Sequence, residues 1–141
     1  MGFKIRDPDF EKRVRASFSR QKLMSTLGAE LTKVLPGEAE ISLPYRDDLT
    51  QQHGFIHAGI IATLADTACG YAAFSLMPAD AAILTVEYKI NLMAPAVGER
   101  FLARGRVIRP GKTLSVCAGE VMAYQQDKEK AIAGRLVSFQ R

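Results

Sequence analysis

Asp66 is the most informative residue of this chain, because it is the one carboxylate in a run of small and apolar residues from 58 to 70. A carboxylate in such surroundings is costly to bury unless it is hydrogen-bonded, paired across an interface or held in a cleft for chemistry. The positions three and four residues away exclude an ion pair within a helix, since they are Ala62, Thr63, Cys69 and Gly70. Asp66 is therefore predicted to be a nucleophile or general base, with a hydrogen bond to Thr63 or backbone as the structural alternative.

Two histidines and two cysteines are the other candidates for chemistry. His53 and His57 are four residues apart, as in helical zinc pairs, but Gly54 between them disfavours a helix, so no metal site is predicted. His57 is instead expected to hydrogen-bond the backbone and fix the loop before a helix. Cys69 and Cys117 form no CxxC pair and are expected to be buried thiols.

Length and composition fit one globular domain of 141 residues, 48% hydrophobic and 24% charged. The net charge of +4 resides in residues 1–25, which hold seven Lys and Arg against three Asp and Glu. The first residues lack the apolar stretch of a signal peptide, and polar residues interrupt the apolar segment 54–77. A cytoplasmic protein without membrane insertion is therefore expected.

A basic amphipathic helix is predicted from Asp9, its cap, to about residue 26, with an apolar side formed by Phe10, Val14, Phe18 and Leu23. A lid or docking helix fits this pattern best. Nucleic acids and membrane surfaces also attract basic helices, but a solvated charged face is commoner, so neither partner is predicted.

The remaining elements are one long helix and six strands. The apolar segment 58–76 is predicted to be a helix that ends at Met77-Pro78. Alternating or strand-forming segments separated by turn residues predict strands at about 29–35, 39–43, 84–92, 99–109, 113–125 and 130–139. Because the long helix is apolar on nearly every side, an α+β fold is expected, with an antiparallel sheet curved around it.

Four segments resemble the hotdog-fold acyl-CoA thioesterases of the PaaI-like type, and they are residues 51–59, 64–66, 85–87 and 110–113. The family opens its central helix with G-x-x-H-G-G and carries an acidic residue eight positions after the first glycine of the pair. Ala58 replaces that glycine, and the pattern is otherwise matched by Gly54, His57, Gly59 and Asp66. The resemblance implies a hotdog core over 27–141, an extra helix within 1–26, and acyl-CoA hydrolysis without a cofactor.

The resemblance also implies roles for individual residues. In the family, the position of Ala58 gives a backbone N–H to the thioester oxygen, and alanine keeps this donor where φ is negative. Gly59 is a second candidate donor. Gln51 matches a polar amide that orients substrate or the attacking water, with Gln52 or His53 as alternatives.

Further implied site residues lie on a strand and in two loops. Thr85 aligns with a Ser or Thr that assists the acid, although its alternation with Glu87 makes an ordinary strand threonine equally plausible. The turn Arg109-Pro110-Gly111-Lys112 resembles a basic turn that meets the phosphates of coenzyme A, with an ordinary hairpin turn as the alternative. His53 and Gly54 are assigned to substrate binding.

Ala58 and Asp66 are eight residues apart, which separates them by about 12 Å along one helix. Both groups cannot act on one carbonyl at that distance. They are therefore expected to come from different subunits, with two central helices antiparallel across a twofold axis. A homodimer would be the smallest active unit, and the resemblance implies that such dimers often pair into tetramers.

Acyl-CoA hydrolysis at a dimer interface is thus the predicted function. A hotdog dehydratase or hydratase is disfavoured, because its catalytic histidine and acid belong to motifs that this chain lacks. The alternative is a non-catalytic acyl-CoA-binding sensor whose basic N-terminal helix contacts a partner or DNA. Aliphatic and aryl acyl groups are both compatible with a pocket shaped by residues such as Phe55, Tyr71 and Phe74.

Overall fold

The computed structural model describes residues 2–140, with the backbone alone for 135–140. The predicted order of elements is confirmed, except that the N-terminal helix is divided in two. The helices are α1 (Phe10–Arg20), α2 (Lys22–Leu27) and α3 (Ala58–Phe74), with a short 3-10 helix at Asp47–Leu49. The strands are β1 (Glu30–Leu35), β2 (Glu38–Pro44), β3 (Leu84–Leu92), β4 (Arg100–Arg109), β5 (Leu114–Gln125) and β6 (Lys128–Gln140).

The described strands form one antiparallel sheet in the order β1-β2-β4-β5-β6-β3. Helix α3 lies across one face of the sheet and packs on β2, β4 and β5. Its buried residues point in nearly every direction, as its apolar sequence predicts: Ile61, Leu64, Ala65, Ala68, Cys69, Tyr71, Ala72, Ala73 and Phe74. A curled antiparallel sheet around one central helix is the hotdog fold, so the predicted fold class is confirmed.

The backbone of helix α3 lies directly against Gly105 of β4. A Cβ atom on this glycine would lie 2.5 Å from the carbonyl carbon of Ala68 and 2.6 Å from the carbonyl oxygen. The absence of a side chain therefore lets the helix backbone rest directly on the strand. Because Asp66 lies two residues before Ala68, this contact also sets the height of its carboxylate above the sheet.

The N-terminal helix differs from its prediction. Gln21 is extended, with φ −80° and ψ 102°, and its side chain donates to the Tyr71 hydroxyl at 3.1 Å, so the helix breaks there instead of continuing to residue 26. Asp9 takes the N-cap position without a side-chain capping bond, and its backbone N–H donates to Asp7 Oδ1 at 2.9 Å. Leu23 is exposed, and the side of α1 that faces the core consists of Phe10, Val14 and Phe18.

Arg13 fastens α1 to the end of α3. Its Nε donates to Asp7 Oδ2 at 2.7 Å, and its Nη2 donates to the carbonyl oxygens of Phe74 at 3.1 Å and Met77 at 2.9 Å. The last carbonyls of a helix lack partners within the helix, so the guanidinium satisfies two acceptors at its negative end. The hydrogen bonds from Arg13 and from the Asp9 N–H hold the pKa of Asp7 below its ordinary value of 3.8.

Candidate active site

The N-terminus of α3 carries a free backbone donor. His57 is the N-cap residue, and its Nδ1 accepts the N–H of Gly59 at 2.8 Å, which is the expected hydrogen bond of this histidine to the backbone. The N–H of Ala58 has no acceptor among the described residues. Ala58 does not have a positive φ, so alanine is accommodated here without strain. A free N–H at the positive end of a helix is suited to a developing negative charge.

Gln51 holds the turn that leads into α3. Its side-chain oxygen accepts hydrogen bonds from the backbone N–H groups of His53 and Phe55. The backbone N–H of Gln51 donates to the carbonyl of Phe55 at 2.9 Å. Gly54 has φ +84°, a conformation that favours glycine. The oxygen of Gln51 is thereby used by the turn, and within the described part of the chain nothing accepts from its side-chain nitrogen. His53 is exposed on the same turn.

Asp66 is half-buried, and its Oδ1 accepts a hydrogen bond from the Thr85 hydroxyl at 2.8 Å. Thr63 does not take this role, since its hydroxyl donates to the carbonyl of Gly59 at 2.8 Å. The hydroxyl of Thr67 likewise donates to the helix backbone, at the carbonyl of Thr63. The structure thus brings together Asp66 and Thr85, two residues that the sequence assigned to one site.

A β-bulge explains why Thr85 faces the helix. In a regular strand, Thr85, Glu87 and Lys89 would lie on one face and Ile90 on the other. Glu87 and Lys89 are exposed, whereas Ile90 packs against the core. The pairing of β3 with β6 slips between Thr85 and Glu87, which leaves Val86 as an extra residue. Such an insertion reverses the phase of the alternation. Thr85 can therefore contact Asp66 while Ile90 contacts the core.

Two cavities flank these groups. The one beside Ala58 has a volume of about 430 Å³ and mostly apolar walls: Gln51, Phe55, Ile56, Ala58, Ile61, Leu92, Met93, Ala94, Pro95, Ala96 and Ile132. The one beside Asp66 has a volume of about 260 Å³ and mostly polar walls: Ser17, Gln21, Asp66, Thr67, Gly70, Tyr71, Ile83 and Thr85. The buried Tyr71 hydroxyl lies 3.1 Å from both Ser17 Oγ and Gln21 Nε2, so α1 closes this second cavity.

Sequence reasoning assigned no site role to Ser17 or Gln21. They are four residues apart and would share one side of the predicted N-terminal helix, but nothing in the sequence indicated that this side meets α3 at Tyr71. Tyr71 itself was expected only to shape the acyl pocket. In the structure it lines the cavity beside Asp66 and not the one beside Ala58, and its hydroxyl attaches α1 through Ser17.

The remaining predicted site residues lie elsewhere. Arg109 is exposed at the end of β4, and the N–H of Gly111 donates to Ser115 Oγ at 3.3 Å. Lys112 lines a separate cavity beyond the end of α3, beside Leu76. The structure therefore does not bring this turn to Asp66.

Ala58 and Asp66 lie on the same helix, and the rise of an α-helix separates them by about 12 Å along its axis. One chain therefore does not bring the Ala58 N–H and the Asp66 carboxylate to the same point. No group of three or more His, Cys, Asp or Glu residues among the described residues is arranged to hold a metal ion. None of the described helices is long and apolar enough to cross a membrane.

Comparison with known proteins places these features among thioesterases. The family model described as thioesterase superfamily matches residues 53–130. A Halobacterium salinarum protein described as an esterase is 35% identical over 99 residues, which are 67% of this chain and 65% of that protein. The chain thus spans slightly less than two thirds of that relative. A 1,4-dihydroxy-2-naphthoyl-CoA hydrolase from Listeria monocytogenes is 27% identical over 67% of this chain and 76% of its own length.

Solved structures agree over nearly the whole length. A thioesterase family protein from Silicibacter pomeroyi is 50% identical, with a TM-score of 0.92 over 93% of this chain and 96% of that one. The E. coli PaaI protein from the phenylacetic acid degradation operon is 22% identical, with a TM-score of 0.85 over 98% of this chain and 96% of that one. This second likeness shows the shared fold.

Proposed function

Because this chain belongs to the thioesterase superfamily, we propose that it hydrolyses the thioester of acyl-CoA to a carboxylic acid and CoA. The observation that carries the proposal is the pair of half-sites on α3, a free Ala58 N–H and a carboxylate held by Thr85. That the substrate is a thioester of coenzyme A is supported by the Listeria relative, which is named as a hydrolase of such a thioester.

The Ala58 N–H would bind the oxygen of the thioester carbonyl as negative charge develops on it. Removing one such donor costs about 2.7–4 kcal/mol of transition-state stabilisation in enzymes that use an oxyanion hole. Because His57 already accepts the Gly59 N–H, Ala58 is the stronger candidate of the two predicted donors.

Asp66 would act on the thioester carbon in one of two ways. As a nucleophile it would form an acyl-enzyme anhydride and release the CoA thiolate, and water would then cleave the anhydride. As a general base it would take a proton from the water that attacks the carbon directly. The hydrogen bond from Thr85 fixes Oδ1 and would orient Oδ2 towards the substrate.

Dimerisation would join the Ala58 half-site of one subunit to the Asp66 half-site of the other. Strand β3 is an edge of the sheet, and its side chains are exposed even where they are apolar: Leu84, Val86, Tyr88 and Leu92. An exposed apolar edge strand is a template for pairing with another chain. Antiparallel pairing of two β3 strands about a twofold axis would continue the sheet and bring two α3 helices together. Pairing of two dimers into a tetramer stays a prediction.

The 430 Å³ cavity beside Ala58 is proposed to take the acyl group. Its apolar walls suit aliphatic and aryl groups alike. Gln51 lines this cavity, and its side-chain nitrogen could donate to the thioester or to the attacking water.

The test is Asp66→Asn, compared with wild type on short, medium, long and aromatic acyl-CoAs by CoA release with a thiol reagent. We expect turnover to fall at least about 10²-fold, because the variant can neither attack nor take a proton. Binding of a non-hydrolysable acyl-CoA analogue, measured by calorimetry, should be retained.

Asp80→Asn is the matched control, since Asp80 is an exposed carboxylate in the loop before β3. Equal turnover in wild type and Asp66→Asn would show that the mechanism is wrong. An absence of turnover on every acyl-CoA, with ligand still bound, would favour the non-catalytic sensor.

A further inference from the structure

A positively charged cavity of about 260 Å³ lies beyond the C-terminal end of α3, between the N-terminal segment and the β4–β5 turn. Lys4 and Arg6 approach it from the N-terminal segment, and Lys112 approaches it from the turn. Its apolar walls are Phe3, Leu76 and Pro110. Cations from two distant parts of the sequence therefore meet at one cleft.

Two attachments hold the N-terminal segment in place. The ring of Phe3 packs so closely on Gly37 that a Cβ atom on this glycine would lie 2.7 Å from it. On the other side, Asp7 is hydrogen-bonded to Arg13 at 2.7 Å, and Arg13 is in turn bound to the end of α3. Lys4 and Arg6 lie between these two attachments, so their backbone is fixed although their side chains are exposed.

The two cations of the N-terminal segment are not balanced by acids among the described residues. Neither Lys4 nor Arg6 forms an ion pair with a carboxylate among the described residues, since the nearby Asp7 is engaged by Arg13. Like charges gathered in a cleft raise the local concentration of anions. Guanidinium and ammonium groups together are suited to phosphate oxygens.

We propose that Lys4 and Arg6, together with Lys112, bind phosphate groups of the coenzyme A part of the substrate. This inference rests on the proposed acyl-CoA hydrolysis and adds two binding residues from the N-terminal segment. Leu76 is ten residues after Asp66, which corresponds to about 15 Å along the helix direction. The pantetheine arm has about as many backbone bonds as four to five extended residues and therefore spans a similar distance of about 15 Å.

The test compares two thioesters of the same acid, acyl-CoA and acyl-pantetheine, the second of which has no phosphate group. For Lys4→Gln and Arg6→Gln we expect KM for acyl-CoA to rise about tenfold each, with kcat unchanged. KM for acyl-pantetheine should not change. Lys12→Gln is the control, since it removes the same charge from the exposed side of α1 and should leave both KM values as in wild type.

The acyl thioester of 3′-dephospho-CoA identifies which phosphate is bound. If the variants and wild type differ much less on this substrate than on acyl-CoA, the cleft holds the 3′-phosphate. If the difference persists, it holds the diphosphate. Either result supports the inference.

Three results would overturn it, and the first two are distinct from a failure of the proposed function. An unchanged KM for acyl-CoA in the double variant that combines Lys4→Gln and Arg6→Gln would show that the cleft binds no phosphate. An equal rise for acyl-CoA and acyl-pantetheine would indicate a general loosening of the site. Should wild type hydrolyse neither thioester, the proposed function is wrong, and equal Kd values for CoA in wild type and double variant would then refute the phosphate site by itself.

Discussion

His57 determines which backbone amide at the start of α3 stays free. Its Nδ1 accepts the Gly59 N–H and thereby satisfies one of the donors that every helix leaves unpaired at its N-terminus. The neighbouring Ala58 N–H keeps no acceptor among the described residues. The Nδ1 atom of His57 therefore binds the Gly59 N–H and leaves the Ala58 N–H for the proposed catalytic role.

Replacing Ala58 by proline removes this single donor with little effect on the fold. Proline is tolerated at the first position of a helix, and His57 before it has φ −57° and ψ 135°, a conformation that residues preceding proline prefer. We expect kcat of Ala58→Pro to fall about 10²–10³-fold, with the melting temperature nearly unchanged. Steady-state CoA release and thermal unfolding measure the two quantities.

Ala58→Gly is the control for that substitution, because glycine keeps the N–H, and it should retain most of the activity. Wild-type turnover in the proline variant would show that the oxyanion is bound by another group.

At the same scale, Thr85 shows why part of the site could not be predicted. Its alternation with Glu87 placed it on the exposed face, and only the extra residue Val86 in the β3–β6 pairing turns it towards Asp66. A bulge depends on how two strands pair, and the alternation of polar and apolar residues in a single strand does not predict that pairing. The isolation of Asp66 and the backbone bond of His57 were predictable because both depend on neighbouring residues.

Among the elements, α3 and β4 are in contact through their backbones. Gly105 permits this contact, because any Cβ would collide with the carbonyl group of Ala68. The neighbour of Gly105 on β5 is Gly119, so the sheet is free of side chains on both strands at this point. The position of Asp66 in the cleft is consequently set by a residue on another element.

Gly105→Ala should therefore lower both the free energy of unfolding and kcat. Overpacking in a filled interior costs about 1–3 kcal/mol, and the resulting shift of α3 should also lower kcat. Gly134→Ala in β6 is the matched control, since its Cβ would lie at an ordinary 3.8 Å from Met93. Chemical denaturation and CoA release give the two readouts, and equal unfolding free energies for both variants would contradict the prediction.

The elements themselves were predictable from the sequence to within a few residues, because alternation, apolar periodicity and Pro-Gly turns are local signals. The break at Gln21 was not, since it depends on a hydrogen bond to Tyr71, fifty residues further along the chain. The order of the strands in the sheet was not predictable either, because it reflects pairing between distant segments.

For the whole molecule, the distribution of the site over two subunits makes a specific prediction. Asp66→Asn and Ala58→Pro subunits should each be inactive alone. Unfolded together and refolded as a mixture, they should form mixed dimers in which one site carries both defects and the other carries neither. If half of the dimers are mixed, about a quarter of the wild-type activity should return.

Refolding each variant alone is the control for this recovery. If the mixture stays inactive although mass spectrometry detects mixed dimers, the Asp66 carboxylate and the Ala58 N–H belong to the same subunit. The proposed interface through β3 would then lose its main support.

The attachment of Arg13 to the end of α3 also has a consequence for synthesis. The carbonyl groups that Arg13 binds lie 61 and 64 residues further along the chain. Because a chain leaves the ribosome from its N-terminus, the segment around Lys4 and Arg6 is made before α3, and it can dock only after α3 has been made. A nascent chain consequently cannot form the proposed phosphate cleft until its central helix has been translated and packed.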